Sequence, residues 1–139
     1  MKTQVLSVEQ MKHLQELGVD TSKASMMYHF WVGKKYKYKN CFLLSADIAT
    51  PYDSENVPTF TLQDMLEMIP YLLFGTYFLN INKSSHEWWF IKYTDYLAHD
   101  DYEFFHGSNL LEVAYQCLCW LAENNYIGGN NGNDKPSRL

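Results

Sequence analysis

The sequence has no long apolar run and no local catalytic motif. No stretch of about 18 apolar residues occurs, so no membrane-spanning helix is predicted. The first residues, MKTQVLSVEQMKHL, have no apolar stretch of the kind found in secretion signals, so we expect a cytoplasmic location. The motifs G-x-S-x-G and H-E-x-x-H and a glycine-rich phosphate loop are also missing. These absences favour a protein that is not an enzyme and needs no cofactor, with an active site built from distant residues as the alternative.

Cysteine and basic residues are both scarce. Three cysteines in 139 residues are an odd number, which fits free thiols in a reducing compartment. Cys117 and Cys119 lie two positions apart in a predicted helix and would point about 200° away from each other, so they cannot share a metal ion. The 16 acidic residues outnumber the 11 basic ones. The resulting net charge of -5 opposes nucleic-acid binding except through a local basic patch.

Aromatic residues are abundant, at 17% of the chain with eleven Tyr, eight Phe and four Trp. Rings at this density fill a small core and leave some side chains for an interface. The length suits one domain, which we place at residues 1–127. The remaining segment 128–139, GGNNGNDKPSRL, has few apolar residues, so we predict a disordered tail.

Three segments have the periodicity and capping residues of helices. The strongest runs from Ser108 to Asn124, where Leu110, Ala114, Cys117 and Leu121 form one apolar stripe that predicts a core helix. A capping box at Ser7 begins an earlier helix, which Gly18 ends. Thr61, with Asp64 at the third helical position, begins another that Pro70 ends.

Two hairpins are predicted between these helices. Residues 26–32 alternate in polarity and return along 35–46 after a turn at Gly33, and residues 77–81 pair with 87–94. We expect 47–59 to be a loop and 95–107 an acidic connection. The predicted order is α-ββ-α-ββ-α, an α+β fold in which about four antiparallel strands pack with two to three helices.

Alternation in these strands predicts a second sheet face rich in aromatic residues. Successive side chains of a strand point to opposite faces of the sheet. If one set of alternate residues points toward the helices, the other set must point away, and that set includes Trp31, Phe78, Trp88 and Phe90. Either the first helix covers this face as a third layer, or the face is exposed and binds a partner. We therefore take these four residues as candidate protein-binding residues.

Two charged clusters each allow a functional and a structural interpretation. Basic residues that alternate with Tyr36 and Tyr38 are candidates for nucleic-acid contact or for the solvent face of a strand: Lys34, Lys35, Lys37 and Lys39. The segment from His99 to His106 contains Asp100, Asp101 and Glu103, which are potential metal ligands, but their spacing matches no metal motif. A solvent-exposed loop accounts for the second cluster, because acidic residues are favourable near the N-terminus of the helix that follows. We therefore predict no metal site.

Three segments resemble short uncharacterised proteins of Bacteroides phages, prophages and conjugative elements. The segments are VEQMKHLQELGVDTSKASM, FTLQDMLEMIP and LLEVAYQCLCWLAENNYI. Small acidic proteins from this setting often bind and block host defence proteins, as anti-CRISPR proteins do. The resemblance therefore implies an interaction module whose partner is a host or phage protein, and a homodimer through the same residues is the alternative.

We predict that the protein is not retained on immobilised single- or double-stranded nucleic acid at low salt, because its net charge repels phosphates. Retention on a nucleic-acid column, measured as salt is raised, checks this. Binding at low salt that weakens steeply with added salt would instead support phosphate contacts by Lys34, Lys35, Lys37 and Lys39.

Overall fold

The computed structural model of the chain describes residues 4–31, 42–47 and 54–127. In that part of the chain there are three helices and seven strands, and the predicted α+β class is confirmed. In chain order they are α1 (Val8–Glu16), β1 (Met26–Trp31), β2 (Phe42–Ser45), β3 (Ser54–Thr59), α2 (Leu62–Met68), β4 (Leu72–Leu73), β5 (Tyr77–Lys83), β6 (Trp89–Asp95), β7 (Asp100–Gly107) and α3 (Leu110–Glu123). The predicted tail, 128–139, lies outside the described residues.

The strands form two antiparallel sheets, where we had predicted one. The three-stranded sheet has the order β2-β1-β3 and the four-stranded sheet the order β4-β5-β6-β7. Both predicted hairpin pairings are present, because β1 pairs with β2 and β5 pairs with β6. In the four-stranded sheet, Ile81 lies opposite Ile91, which in turn lies opposite Phe105.

The predicted loop 47–59 is wrong at its C-terminal end, which forms β3. This strand pairs with β1 along six residues, and Pro58 lies opposite Met27. Proline lacks a backbone N–H, but a strand at the edge of a sheet needs hydrogen bonds on one side only. Polar residues and a proline therefore suit an edge strand, although in the sequence they resemble a loop.

The predicted acidic connection 95–107 is also wrong, because most of it forms β7. Tyr93 lies opposite Glu103, while the next residue, Thr94, lies opposite Asp101. Tyr102 is therefore the extra residue of a β-bulge, and it interrupts the two-residue alternation by which strands are recognised. The bulge explains why the strand was missed.

The predicted capping boxes of α1 and α2 are confirmed. The hydroxyl of Ser7 accepts a hydrogen bond from the Gln10 N–H at 3.1 Å, and the Gln10 side chain accepts one from the Ser7 N–H at 2.9 Å. Thr61 and Asp64 make the same reciprocal pair at 3.1 and 2.9 Å. These bonds satisfy N–H groups that have no partner within the first turn.

The core is built around α3. Asn109 caps this helix, and Ala114, Cys117 and Leu121 of the predicted stripe are buried, together with Leu111, Val113, Leu118 and Ala122. They join one apolar cluster with Met11 and Leu14 of α1, Met65 of α2, and Ile91 and Tyr93 of β6. Helix α3 thus covers one face of the four-stranded sheet, which we call the inner face, and the opposite side is the outer face.

Aromatic rings pack where the end of α3 meets the β4–β5 turn. Phe74 and Gly75 both have positive φ, at 56° and 72°, and the Thr76 N–H donates to the Leu73 carbonyl at 3.0 Å, which closes a turn within the three-residue loop between the paired residues Leu73 and Tyr77. Asparagine or glycine is usual at the first of these positions. The Phe74 ring lies 5.9 Å from Tyr102 and 5.0 Å from Tyr126. These ring contacts offset the backbone strain of a phenylalanine at positive φ.

None of the three described helices is long and apolar enough to cross a membrane.

We predict that Leu121→Asp lowers the free energy of unfolding by about 3 to 5 kcal/mol, because it places an unpaired carboxylate in the core. Leu121 is fully buried in the cluster formed with β6. Gln116→Asp is the matched control, because it adds the same charge on the exposed face of α3. Urea unfolding measures both variants, and equal stabilities would contradict the assigned facing of the helix.

Candidate functional site

The outer face of the four-stranded sheet is defined by the burial of alternate residues in β6. Ile91 and Tyr93 are fully buried on the inner face. Because neighbouring side chains in a strand point to opposite faces, Phe90, Lys92 and Thr94 lie on the outer face. The residues paired with these three share that face: Phe78, Asn80 and Asn82 on β5, and Asp101, Phe104 and His106 on β7.

Four rings lie close together at one end of the outer face, and we call them the ring cluster. His106 is at its centre, with ring-centroid distances of 5.4 Å to Trp88, 5.9 Å to Phe90 and 5.7 Å to Phe104. Trp88 remains 43% exposed and Phe104 49% exposed. The rings therefore contact one another and still present apolar surface to solvent.

Polar residues and a second aromatic pair occupy the rest of the outer face. Phe78 stacks on Tyr96 at 5.3 Å, and the Tyr96 hydroxyl donates to the Asn80 side-chain oxygen at 3.1 Å. Lys92 Nζ lies 3.9 Å from an Asp101 oxygen. The Thr94 hydroxyl donates to the same carboxylate at 3.0 Å. The outer face thus combines exposed rings with one ion pair, Lys92–Asp101.

The β5–β6 turn fixes the backbone of Trp88. The Ser84 N–H donates to the Trp88 carbonyl at 2.7 Å, and the Trp88 N–H donates to the Ser84 hydroxyl at 3.2 Å. Glu87, with φ of 64°, adopts the left-handed backbone conformation in this turn. The exposed indole therefore extends from a backbone that hydrogen bonds hold on both sides.

The outer edge of β7 is poorly suited to pairing with another strand. This strand is the last in its sheet, and the Tyr102 bulge distorts it. Asp100 and Asp101 begin the strand, and the Glu103 carboxylate accepts the N–H of Phe104 at 3.2 Å. Bulges and charged residues are the features by which edge strands avoid pairing. The geometry therefore favours contact through the outer face over strand addition at the edge.

Three of the four candidate protein-binding residues lie on the same side of one sheet, with Trp88 and Phe90 at one end and Phe78 at the other. Phe78, Trp88 and Phe90 lie on or beside the outer face, whereas Trp31 belongs to β1 of the three-stranded sheet. The α1 helix does not cover the outer face, because it packs near β3 and its Gln10 side chain donates to Glu112 of α3. Of the two alternatives, covered or exposed, the structure therefore has an exposed face.

The sequence interpretation missed Tyr96, Phe104 and His106, which complete the outer face. Phe104 and His106 alternate with the partly buried Phe105, which is a strand pattern within the segment that we had assigned to a connection. The candidate nucleic-acid residues Lys34, Lys35, Lys37 and Lys39 lie outside the described residues. Nucleic-acid contact by these lysines therefore stays a prediction.

The described His, Cys, Asp and Glu side chains are dispersed, and Cys117 is buried in the core. Among the described residues, no three His, Cys, Asp or Glu side chains are grouped so that they could hold a metal ion. In the segment from His99 to His106, Glu103 pairs with Tyr93 on the inner face, so it points away from Asp101 and His106. Burial raises the pKa of the Cys117 thiol to about 12, which favours the protonated form near neutral pH.

No protein-family model, curated protein or solved structure matches this chain.

We predict that the exposed rings of the ring cluster contribute little to the free energy of unfolding. The double variant Trp88→Ala, Phe104→Ala should lower the free energy of unfolding by less than Ile91→Ala, because the two rings are about half exposed. Ile91→Ala removes a fully buried side chain of the same sheet and should cost about 2 to 5 kcal/mol. Urea unfolding of the three proteins compares them. A double variant less stable than Ile91→Ala would mean that the ring cluster is a structural core.

Proposed function

We propose that this chain is a non-enzymatic protein-interaction module that binds its partner through the outer face of the four-stranded sheet. The observation that carries the proposal is the exposed ring cluster of Trp88, Phe90, Phe104 and His106. The solvent face of an antiparallel sheet is normally polar. Tryptophan and tyrosine are enriched among the residues that dominate binding energy at protein interfaces.

The arrangement of polar groups also supports a protein partner. Lys92 is paired with Asp101 on the outer face, so it is not a free cation directed at solvent. Asn80 and Asn82 lie beside the rings and are able to form hydrogen bonds at a rim. Protein interfaces typically have an aromatic centre depleted of charge and a polar rim. An interface of this kind fits the outer face better than a phosphate-binding surface does.

Charge indicates the chemistry of the partner. The net charge of -5 favours a partner with a basic surface, because opposite charges accelerate association. Proteins that act on nucleic acids carry such surfaces. Together with the resemblance to Bacteroides mobile-element proteins, this leads us to propose a host-defence nuclease as the partner and an anti-CRISPR-like inhibitor as the role. The site of action would then be the host cytoplasm.

The proposal predicts which variants lose the partner. Affinity-tagged wild-type protein should recover a partner from a Bacteroides lysate, and the Trp88→Ala, Phe104→Ala variant should not. Leu43→Ala is the matched control, because Leu43 is 43% exposed, as Trp88 is, but lies on β2 of the other sheet. Mass spectrometry of the three eluates measures the difference. Identical recovery by all three proteins would contradict binding through the outer face.

Sedimentation equilibrium distinguishes a second copy of the chain from a foreign partner. Under the proposal the wild-type protein sediments as a monomer at micromolar concentration. A wild-type dimer that the Trp88→Ala, Phe104→Ala variant converts to monomers would mean that the outer face binds its own copy.

A further inference from the structure

Two tyrosine hydroxyls meet where strand β7 passes the end of α3. The hydroxyl oxygens of Tyr102 and Tyr126 lie 2.9 Å apart, within hydrogen-bonding distance, although the residues are 24 positions apart in the sequence. Tyr102 is 40% exposed, so dissolved oxidants have access to the pair. Both residues lie outside the ring cluster of the outer face.

The bulge in β7 directs Tyr102 toward α3. Tyr102 is the extra residue between Asp101 and Glu103, which pair with consecutive residues of β6. Its ring centroid lies 5.9 Å from that of Trp120 on α3, and the ring stacks on Tyr77 at 4.6 Å. Bulges commonly redirect a side chain in this way. The bulge therefore places a phenol beside the end of the helix.

The C-terminus of α3 fixes the backbone of Tyr126. The Tyr126 N–H donates to the Leu121 carbonyl at 2.8 Å, and the Asn125 N–H donates to the Ala122 carbonyl at 3.1 Å. Asn125 has φ of 62°. These two hydrogen bonds and the left-handed residue form a Schellman motif. Tyr126 is therefore positioned by the helix itself.

Two further rings each contact both tyrosines. The Phe74 centroid lies 5.9 Å from that of Tyr102 and 5.0 Å from that of Tyr126. The Trp120 centroid lies 5.9 Å and 5.3 Å from the same two rings. This packing restricts the motion of both phenols. Groups held side by side react with each other much faster than with groups on another molecule, because little further translational entropy is lost.

Adjacent phenols undergo oxidative coupling. Loss of one electron and one proton converts a phenol to a phenoxyl radical, whose unpaired electron lies partly on the ring carbons next to the hydroxyl-bearing carbon. Two such radicals join through these carbons, and the hydrogen on each then moves to oxygen and restores the ring. The hydrogen bond to Tyr102, together with burial, raises the pKa of Tyr126 to about 12, so this phenol carries its proton near neutral pH.

We propose that Tyr102 and Tyr126 form an oxidative cross-linking site, where a haem peroxidase supplied with hydrogen peroxide joins the two rings as dityrosine. The two phenols together lose two electrons and two protons, which convert one hydrogen peroxide molecule to two water molecules. In the product the two hydroxyls are neighbours across the new carbon–carbon bond, as they already are across the hydrogen bond. This inference does not rest on the proposed function, because it involves neither the outer face nor a partner protein.

The cross-link has a structural consequence. It ties β7 to the end of α3 and closes a loop over residues 102–126. A covalent loop limits the conformations of the unfolded chain and leaves the folded chain little changed, so it favours folding in the same way as a disulfide. Oxidation at this site would therefore strengthen the contact between the four-stranded sheet and its covering helix.

Oxidation of the purified protein tests the site. Hydrogen peroxide and a haem peroxidase are added to dilute protein, and the monomer is isolated by gel filtration. It should show the fluorescence of dityrosine, and mass spectrometry of its peptides should show Tyr102 joined to Tyr126 with the loss of two hydrogen atoms. A monomer without dityrosine overturns the site. A cross-link from Tyr102 to the stacked Tyr77 in place of Tyr126 overturns it as well.

Two conservative variants separate the effect of pairing from that of exposure. Tyr126→Phe keeps an aromatic ring but removes one phenol, and it should abolish dityrosine in the monomer. Tyr96→Phe is the matched control, because Tyr96 is 52% exposed but its hydroxyl donates to Asn80 and not to a second phenol. It should leave the yield unchanged. Equal losses of dityrosine in the two variants would overturn the assignment to the hydrogen-bonded pair.

Urea unfolding measures the consequence of the bond. The cross-linked monomer should unfold at a higher urea concentration than the untreated protein. Tyr126→Phe exposed to the same oxidant should show no such increase, which controls for oxidation elsewhere in the chain. A cross-linked monomer whose midpoint is unchanged or lowered would overturn the proposed strengthening of the contact between β7 and α3.

Discussion

The packing of α3 against Ile91 and Tyr93 determines the direction of the other side chains in the four-stranded sheet. Once these two residues of β6 are buried, alternation turns Phe90, Lys92 and Thr94 to the opposite side. The antiparallel register extends this choice to the paired residues of β5 and β7. The outer face is thus a geometric consequence of how the core is formed, and its aromatic composition is the feature that the core does not explain.

Two kinds of aromatic packing coexist in the same sheet and serve different purposes. On the inner face, Trp120 of α3 contacts Tyr93, Phe105 and Tyr102, and these rings belong to the interior or its border. On the outer face, rings of similar size contact mainly one another and His106. Burial accounts for the first group through the hydrophobic effect. The second group retains much of its apolar area, which association with another molecule would remove from water.

The parts of the fold that follow from local chemistry were predictable from the sequence. The capping boxes at Ser7 and Thr61 and the stripe of α3 depend on residues within a few positions of each other, and they were identified correctly. Strands β3 and β7 were not, because each is an edge strand whose polar residues are acceptable only in the context of its partner. The division into two sheets depends on pairings between distant segments, which no local pattern encodes.

The candidate site was predictable only in part, because local alternation identifies some of its residues, whereas others depend on the pairing of distant strands. Phe78 and Phe90 were assigned to the outer face because alternation in two paired strands fixes facing. Phe104 and His106 were missed because the Tyr102 bulge conceals the alternation of β7. Trp31 was grouped with them because one sheet was assumed where the chain forms two.

The protected edge of β7 has a consequence for behaviour at high concentration. A sheet with an adhesive aromatic face and an open edge would be able to add strands from further copies without limit, which is the route to fibres. The bulge, the two aspartates and the Glu103 carboxylate on the Phe104 N–H oppose that route. Addition of another strand at the β7 edge is thereby disfavoured. The rings of the outer face are thus exposed beside an edge that is a poor template for a further strand.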